Sequence, residues 1–301
     1  MSFPRRREST ATYEWLQDIV DPSLHGDDWE GVLKIIDVLK HIDPTNLRDA
    51  RLLLANVLNI TPEETILNPD LELSQPQLTK FNAMLTRLNA LEPVSKILGQ
   101  RWFWNDLFKV TADTLDPRPE TELIIESVLK YFPDKTAPYR ILDLGTGTGC
   151  LIISLLKEYV NATGLAVDIS EPALEVAKEN AASLGVTSVE FQHTSWCQGI
   201  TNTFDIIVSN PPYINTSEQL PDAVKNYDPG LALFAGSDGL DAYREIAASV
   251  KKVCKTNTKI FLEIGQGQAR QVSELFSQAG FVVNEIAADL SNIQRCLVIA
   301  T

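Results

Sequence analysis

Histidine and cysteine are scarce in this chain: three and four residues among 301. Cys150, Cys197, Cys254 and Cys296 form no CxxC pair, and His25, His41 and His193 are just as scattered. Neither a zinc site nor a disulfide framework is implied by such spacing, so the thiols read as buried or idle and suit a reducing compartment. Long apolar runs are also missing, with no stretch reaching the roughly 18–20 residues that cross a bilayer. The start, MSFPRRREST, carries three arginines with no apolar run behind them, so a secretory signal is not expected. It is compatible with an organellar targeting segment or with a frayed bacterial start. Positive charge is in the minority, 26 Lys and Arg against 40 Asp and Glu, a net of −14. A surface of that sign is poorly suited to neutralising phosphates and argues against a nucleic-acid substrate. A positively charged protein partner suits it better, although most acidic surfaces are simply solvated.

What is present describes an ordinary globular chain. At 44% hydrophobic and 22% charged residues it can bury a real core, and its length allows a large domain beside a small one. From Tyr13 to about Leu98 apolar residues recur at helical spacing, as in DARLLLANVLNI and LTKFNAMLTRLNAL, with Pro62 and Pro76 expected between helices. ITPEETI reads as a helix start, with Thr61 as N-cap and Pro62 at the first helical position. This predicts a helical N-terminal domain of four or five helices over residues 1–98. RWFWNDLFKVTADT alternates bulky and polar residues around Asn105-Asp106, the pattern of a hairpin, here a linker over residues 99–116.

Beyond it, over residues 117–301, short apolar strands alternate with helical patterns. The strands are RILDLG, TGLAVDI, SVEFQHT, FDIIVSN, KIFLEIG, FVVNEIA and RCLVIAT; the helices fall at 120–131, 150–158, 171–184, 240–254 and 268–279. Such alternation predicts an α/β fold, a parallel sheet with helices on both faces. The last two strands have no helix between them, so one of the pair runs antiparallel.

In a sheet of this kind ligands bind beyond the carboxyl ends of the strands, near the point where strand order reverses. ILDLGTGTGCLIISLL supplies a buried strand, a turn with Gly145, Gly147 and Gly149, and a helix. The spacing is GxGxG, with Cys150 where a dinucleotide fingerprint wants its last glycine. Asp168 ends the second strand, placed to accept ribose hydroxyl protons, although it also reads as a strand-end acid before the Ser170-Glu171-Pro172 helix start. Two cofactors compete. NAD would set a pyrophosphate on the helix N-terminus, whereas S-adenosylmethionine needs polar contacts for its amino-acid end. The short GxGxG and Asp143 ahead of it favour the second.

The fourth strand ends in Asn210-Pro211-Pro212-Tyr213, where two prolines remove two donors and fix two φ angles. Around it stand EPVSKILGQ (92–100), DPRPETE (116–122), ILDLGTGTG (141–149), VDIS (167–170), SNPPYI (209–214), DPGLALFAGSDGLDAYREI (228–246) and LEIGQGQ (262–268). In these motifs and their order the chain resembles the protein-(glutamine-N5) methyltransferases that act on peptide chain release factors. The likeness spans roughly residue 45 to the C-terminus. NPPY alone is shared with amino-methyltransferases of DNA and RNA, and its combination with PRPETE and GSDGLDAYR is more specific.

The resemblance implies a class I methyltransferase fold, Rossmann-like, with seven strands and the last antiparallel, and S-adenosylmethionine as cofactor. It implies that Gly145, Thr146, Gly147, Thr148 and Gly149 wrap the methionine portion, that Asp168 holds the ribose, and that Trp196 lies by the adenine. Asn210, Pro211, Pro212 and Tyr213 hold a glutamine amide. The implied partner is a class I release factor carrying a Gly-Gly-Gln loop, whose body the helical domain docks. A monomer is expected, in the cytoplasm or, in a eukaryote, the mitochondrial matrix. Arg118 and Glu120 read as the wall of the site or as a helix cap. Two departures stand out: Ser195 where the family usually has Asp, and Ser291-Asn292 where it often has a glycine. An amino-methyltransferase of nucleic acid and a non-catalytic nucleotide-binding module are the alternatives.

Overall fold

A computed structural model describes residues 33–301. The chain divides into two units, one up to Leu98 and one from Gly99 to Thr301. The helical expectation for residues 13–32 lies outside the described residues.

In the smaller unit, strand β1 (Leu33–Lys34) pairs antiparallel with β2 (Glu72–Leu73), a ribbon too short and polar to be read from periodicity. Helices α1 (Ile35–Leu39), α2 (Leu47–Leu58), α3 (Glu64–Leu67), α4 (Gln75–Asn89) and α5 (Val94–Leu98) surround it in sequence. Their apolar faces meet in one cluster that includes Ile35, Val38, Leu53, Leu54, Phe81 and Leu85. Thr61 does cap the following turn, its hydroxyl accepting from Glu64 N at 3.2 Å while Glu64 Oε2 accepts from Thr61 N at 2.7 Å, a reciprocal capping box. Pro76, expected between helices, instead lies in the first turn of α4. There its missing N–H costs nothing, because first-turn donors have no intrahelical acceptor.

The larger unit opens with a hairpin, β3 (Gln100–Phe103) and β4 (Asp106–Lys109). Its loop is Trp104-Asn105, one residue earlier than the sequence suggests. Trp104 takes a left-handed φ of 55°, rare for a bulky residue. The neighbours hold it there: Glu122 accepts from its backbone N at 2.7 Å and Glu158 from its indole Nε1 at 2.9 Å.

Next come α6 (Glu122–Tyr131), β5 (Arg140–Leu144), α7 (Cys150–Glu158), β6 (Thr163–Asp168), α8 (Glu171–Ser183), β7 (Val189–His193) and β8 (Phe204–Ser209). They are followed by α9 (Asp222–Tyr227), α10 (Asp241–Ser249), β9 (Cys254–Glu263), α11 (Ala269–Gln278), β10 (Val282–Ala288) and β11 (Gln294–Ala300). All seven strands read from the sequence join one sheet, in the order β10-β11-β9-β8-β5-β6-β7. β5 to β9 pair in parallel, and β11 is antiparallel to both β9 and β10. This is the class I methyltransferase sheet that the resemblance implies. Six-residue α9 went unread because it buries none of its residues and so carries no apolar period.

Period-two alternation sorts the strand side chains onto two cores. Leu142, Leu144, Ile207, Ile260, Leu262, Leu297 and Ile299 meet Tyr243 and Ile246 of α10 and Val272 and Phe276 of α11. Ile141, Ile206, Val208, Phe261 and Val298 point the other way, onto Ile124 and Val128 of α6 and Ile152 and Leu155 of α7. Asn292 adopts a left-handed φ of 61°, so the place where the resemblance leads one to expect a glycine is held by a residue that tolerates that region. Among the described residues no helix is long and apolar enough to cross a membrane.

One buried side chain ties three pieces of this unit together. Asn180 of α8 accepts from Lys109 N at 2.7 Å, donates to Lys109 O at 3.1 Å and donates to Thr148 O at 2.9 Å. Truncation leaves those backbone groups without partners inside the protein, so Asn180→Ala is expected to lower unfolding stability by about 2–4 kcal/mol. Urea denaturation measures it, and a loss below about 1 kcal/mol would contradict this assignment.

Candidate active site

The order of the sheet sets the site. From β5 the chain moves outward through β6 and β7, then returns to the other side of β5 through β8 and β9. The loops after β5 and β8 therefore leave a crevice at their carboxyl ends. The register places Asp143 of β5 opposite Val208 of β8, so the glycine turn and Asn210 start side by side.

A cavity of about 360 Å³ opens there, within the range of small-ligand sites. Gly145, Thr146, Gly147 and Thr148 line it, with Asp168, Trp196, Asn210 and Pro212. Gly145 and Gly147 have φ of 71° and 54°, which turns their backbone toward the cavity at little steric cost. Gly149, also expected at the cofactor, does not border the cavity. Its φ is 80°, and an added Cβ would stand 2.8 Å from Ile153 Cδ1 and 3.2 Å from the Ala177 methyl. Its glycine serves the packing of α7 against α8.

Asp168 is held by two backbone donors, Gly147 N on Oδ2 at 2.9 Å and Ser170 N on Oδ1 at 2.8 Å. An ionised carboxylate has about four acceptor sites, so both oxygens retain capacity for hydroxyl donors. Burial raises its pKa, against those hydrogen bonds. Beneath the turn lies Asp143, whose Oδ2 accepts from Thr146 Oγ1 at 2.6 Å and whose buried Oδ1 has no partner among the described residues. Burial pushes its carboxyl up to about 7.

The cavity wall decides between the two cofactor classes. Asp113, Asp116, Asp168, Asp241 and Glu245 line it, and no Lys, Arg or His among the described residues does. Asp241 is paired with Arg244 behind the wall, at 2.7 Å, yet every charged side chain on the wall itself is acidic, which disfavours a pyrophosphate and favours a ligand with cationic groups. A sulfonium and an ammonium fit this donor set. The charge absent at Ser195 is not absent from the wall: Glu245 of α10 borders the cavity and accepts from Trp196 Nε1 at 2.6 Å. Trp196 itself is held at φ 46°, with its ring 3.7 Å from where a Gly145 Cβ would be.

Arg118 and Glu120 do not form the wall. Asp113 to Pro117 and Thr121 do. Arg118 turns away to pair with buried Asp228 at 2.7 Å, joining the DPRPETE segment to the DPG segment, and Glu120 is exposed. Of the NPPY residues, Asn210 and Pro212 border the cavity, Pro211 is buried beside it, and Tyr213 points its hydroxyl at Glu263 Oε1, 3.2 Å away. The LEIGQGQ motif braces this segment from behind. Gln268 Nε2 donates to Tyr213 O at 3.0 Å while its Oε1 accepts from Gly265 N at 3.1 Å. A Cβ on Gly265 would sit 2.5 Å from Gln268 Oε1 and 3.0 Å from Tyr213 Cδ2.

Sequence reasoning passed over two residues in motifs that it had marked. Thr121 and Glu263 are both buried, and Thr121 Oγ1 donates to Glu263 Oε2 at 2.6 Å. Asn210 Nδ2 donates to the same Thr121 oxygen at 3.0 Å. Glu263, like Asp143, is pushed up to about 7 by burial. An acid at the carboxyl end of a central strand was the available signal.

Comparison with known proteins covers both units. Residues 34–99 match the PrmC N-terminal domain model, and residues 112–227 match the Methyltransferase small domain. A release factor glutamine methyltransferase of Rhodospirillum rubrum is 41% identical over 254 residues, spanning 83% of this chain and 78% of that protein. Its counterpart in Cereibacter sphaeroides is 43% identical over 252 residues, spanning 82% and 88%. The solved hMettl16 catalytic domain, in complex with a MAT2A 3'UTR hairpin, superposes with a TM-score of 0.53 at 15% identity, over 71% of this chain and 80% of that one. That likeness is one of fold alone.

The Asp143 carboxyl gives a pH signature. Its pKa is raised from 3.8 to about 7, so the folded chain keeps a proton that the unfolded chain has lost. This contribution to stability is full below about pH 4 and is lost as pH rises through about 7. Asp143→Asn is expected to flatten the fall in Tm over that window. A pH series of thermal melts measures it, and an unchanged slope in the variant contradicts it.

Proposed function

Because the chain belongs to the release factor glutamine methyltransferase family, we propose that the crevice between the glycine turn and Asn210 is where it methylates a release-factor glutamine. The enzyme transfers a methyl group from S-adenosylmethionine to the side-chain amide nitrogen, N5, of the glutamine in a Gly-Gly-Gln loop. The observation that carries this reading is the single cavity wall that joins a carboxylate-rich cofactor cradle to Asn210 and Pro212.

Gly145, Thr146, Gly147 and Thr148 hold the amino-acid portion of the cofactor, Asp168 takes the ribose hydroxyls, and Trp196 lies along the adenine. The bound cofactor supplies an electrophilic methyl group on a positively charged sulfur. What remains for the protein is the nucleophile, since the lone pair of a primary amide nitrogen is delocalised into its carbonyl. Asn210 Oδ1 accepts one N–H of the substrate amide and the Pro211 backbone carbonyl accepts the other. Both acceptors gain strength as positive charge develops on nitrogen, so they favour the transition state over the ground state. Two consecutive prolines keep that carbonyl in place, and Tyr213, which lies outside the cavity lining, braces the segment through its hydroxyl on Glu263. No strong base is needed, because the alkylated nitrogen loses its proton readily.

The partner is a class I release factor, and the helical unit docks its body. The net charge of −14 and a cavity whose charged lining residues are all acidic suit a protein substrate better than a polyanion.

Incubation with methyl-labelled cofactor and release factor, either wild type or with the loop glutamine replaced by alanine, tests the reaction. Label is expected on the wild type alone, and equal label on both excludes the proposal. Asn210→Ala is expected to bind cofactor normally and to lose about 10²–10³ in kcat. Calorimetry and single-turnover rates separate the two effects, and undiminished turnover would remove Asn210 from this role.

A further inference from the structure

An asparagine amide can present either end to a substrate, and only its oxygen is useful here. The structure contains a proton inventory that selects the end. Asn210 Nδ2 faces Thr121 Oγ1 at 3.0 Å, and Thr121 Oγ1 is 2.6 Å from Glu263 Oε2. The other oxygen of Glu263 accepts from Tyr213 at 3.2 Å. An ionised carboxylate only accepts, and a threonine hydroxyl has one proton. With that proton committed to Glu263, Thr121 can offer Asn210 only a lone pair. The amide must then turn its NH2 toward Thr121, which leaves Oδ1 for the substrate.

We propose, on the basis of the function assigned above, that Glu263 is a positioning residue: through Thr121 its carboxylate form fixes the Asn210 amide with oxygen toward the substrate. A proton on Glu263 Oε2 reverses the chain. The carboxyl then donates to Thr121, the Thr121 hydroxyl donates to Asn210 Oδ1, and the amide turns its NH2 to the substrate. A substrate amide that needs two acceptors meets a donor instead. No bond other than hydrogen bonds changes, and the proton comes from solvent.

The surroundings of Glu263 make this reversal accessible near neutrality. It is 2% exposed. The titratable and charged groups facing it are Glu120 from the turn before α6, Cys150 of α7, Tyr213 after β8, Tyr243 of α10, and Arg295 and Cys296 of β11. Burial raises its pKa, opposed first by the hydrogen bonds from Thr121 and Tyr213 and then by Arg295, and it stands at about 7. The competent form is the deprotonated one, so activity is present above that value and is lost as pH falls through it.

Two measurements on the full chain decide the matter. At saturating cofactor, kcat toward release factor is followed from about pH 5.5 to 8.5, a range spanning the midpoint of about 7. Wild type is expected to show an acid limb near the midpoint, and Glu263→Gln to lack it. Thr121→Val is expected to lose about 10²-fold in kcat through misplacement of the amide, with S-adenosylhomocysteine affinity by calorimetry within about two-fold of wild type. Thr121→Ser should restore both rate and limb. An acid limb unchanged in Glu263→Gln, or a wild-type kcat in Thr121→Val, overturns the proposal. The second measurement needs no substrate: the side-chain amide ¹⁵N signals of Asn210 in the free enzyme should titrate with the same midpoint in wild type and stay flat in Glu263→Gln. Signals that do not titrate in wild type also overturn it. Failure of wild type to label the release factor would count against the assigned function alone, because the amide titration still reports on the network.

Discussion

The parallel pairing of β5 with β8 is the constraint that creates the site. Neither strand can reach the other through a hairpin, since parallel neighbours need a crossover. The chain leaves β5 toward β6 and comes back to β8 from the opposite edge. Their carboxyl ends are thereby adjacent without being joined by any loop. The cavity proposed as the active site is attached to that gap. The glycine turn closes one side, Asn210 and the two prolines close the other, and Asp168 extends the first side by one strand.

The two sides of the gap are built from different materials. The side proposed to hold the cofactor is backbone and carboxylate, with positive-φ glycines that let the main chain come close. The side proposed to hold the amide is a rigid segment fixed from behind by side chains from distant parts of the chain: Gln268 on the Tyr213 carbonyl, and Thr121 and Glu263 on Asn210 and the Tyr213 hydroxyl. Buried hydrogen bonds of this kind contribute modestly to net stability. On the proposed reading their value is direction, because an unconstrained amide adopts two orientations and only one would serve the reaction.

Much of this was legible in the primary structure. Alternation of short apolar runs with helical spacing gave seven strands and the helices between them, because each strand in a covered parallel sheet must be apolar on both faces. The cavity-lining positions of Asn210 and Asp168 were legible as polar residues at the end of a buried strand run. Thr121 and Glu263 were not, since their contact joins positions 142 apart in the chain and neither neighbourhood announces it. Arg118 and Glu120 misled for a related reason: a motif marks a segment, while side-chain direction decides which members of that segment meet the ligand. Gly149 shows that one glycine pattern can answer two demands, with two of its members facing the cavity and the third making room for a helix. The loop of the β3–β4 hairpin was misplaced because Trp104, not a glycine, carries the left-handed turn, held there by two glutamates that no local pattern connects to it.

The carboxylates that ring the cavity also bear on how the spent cofactor departs. The methyl donor carries a net positive charge at its sulfur that the demethylated product does not. Asp113, Asp116, Asp168, Asp241 and Glu245 therefore attract the two ligands unequally, although both share the same ribose and base. In the proposed reaction, loss of the methyl group would remove that charge, and with it part of the attraction these carboxylates would exert. On the proposed reading, a wall whose charged members are all acidic draws fresh donor inward more strongly than it holds the exhausted one.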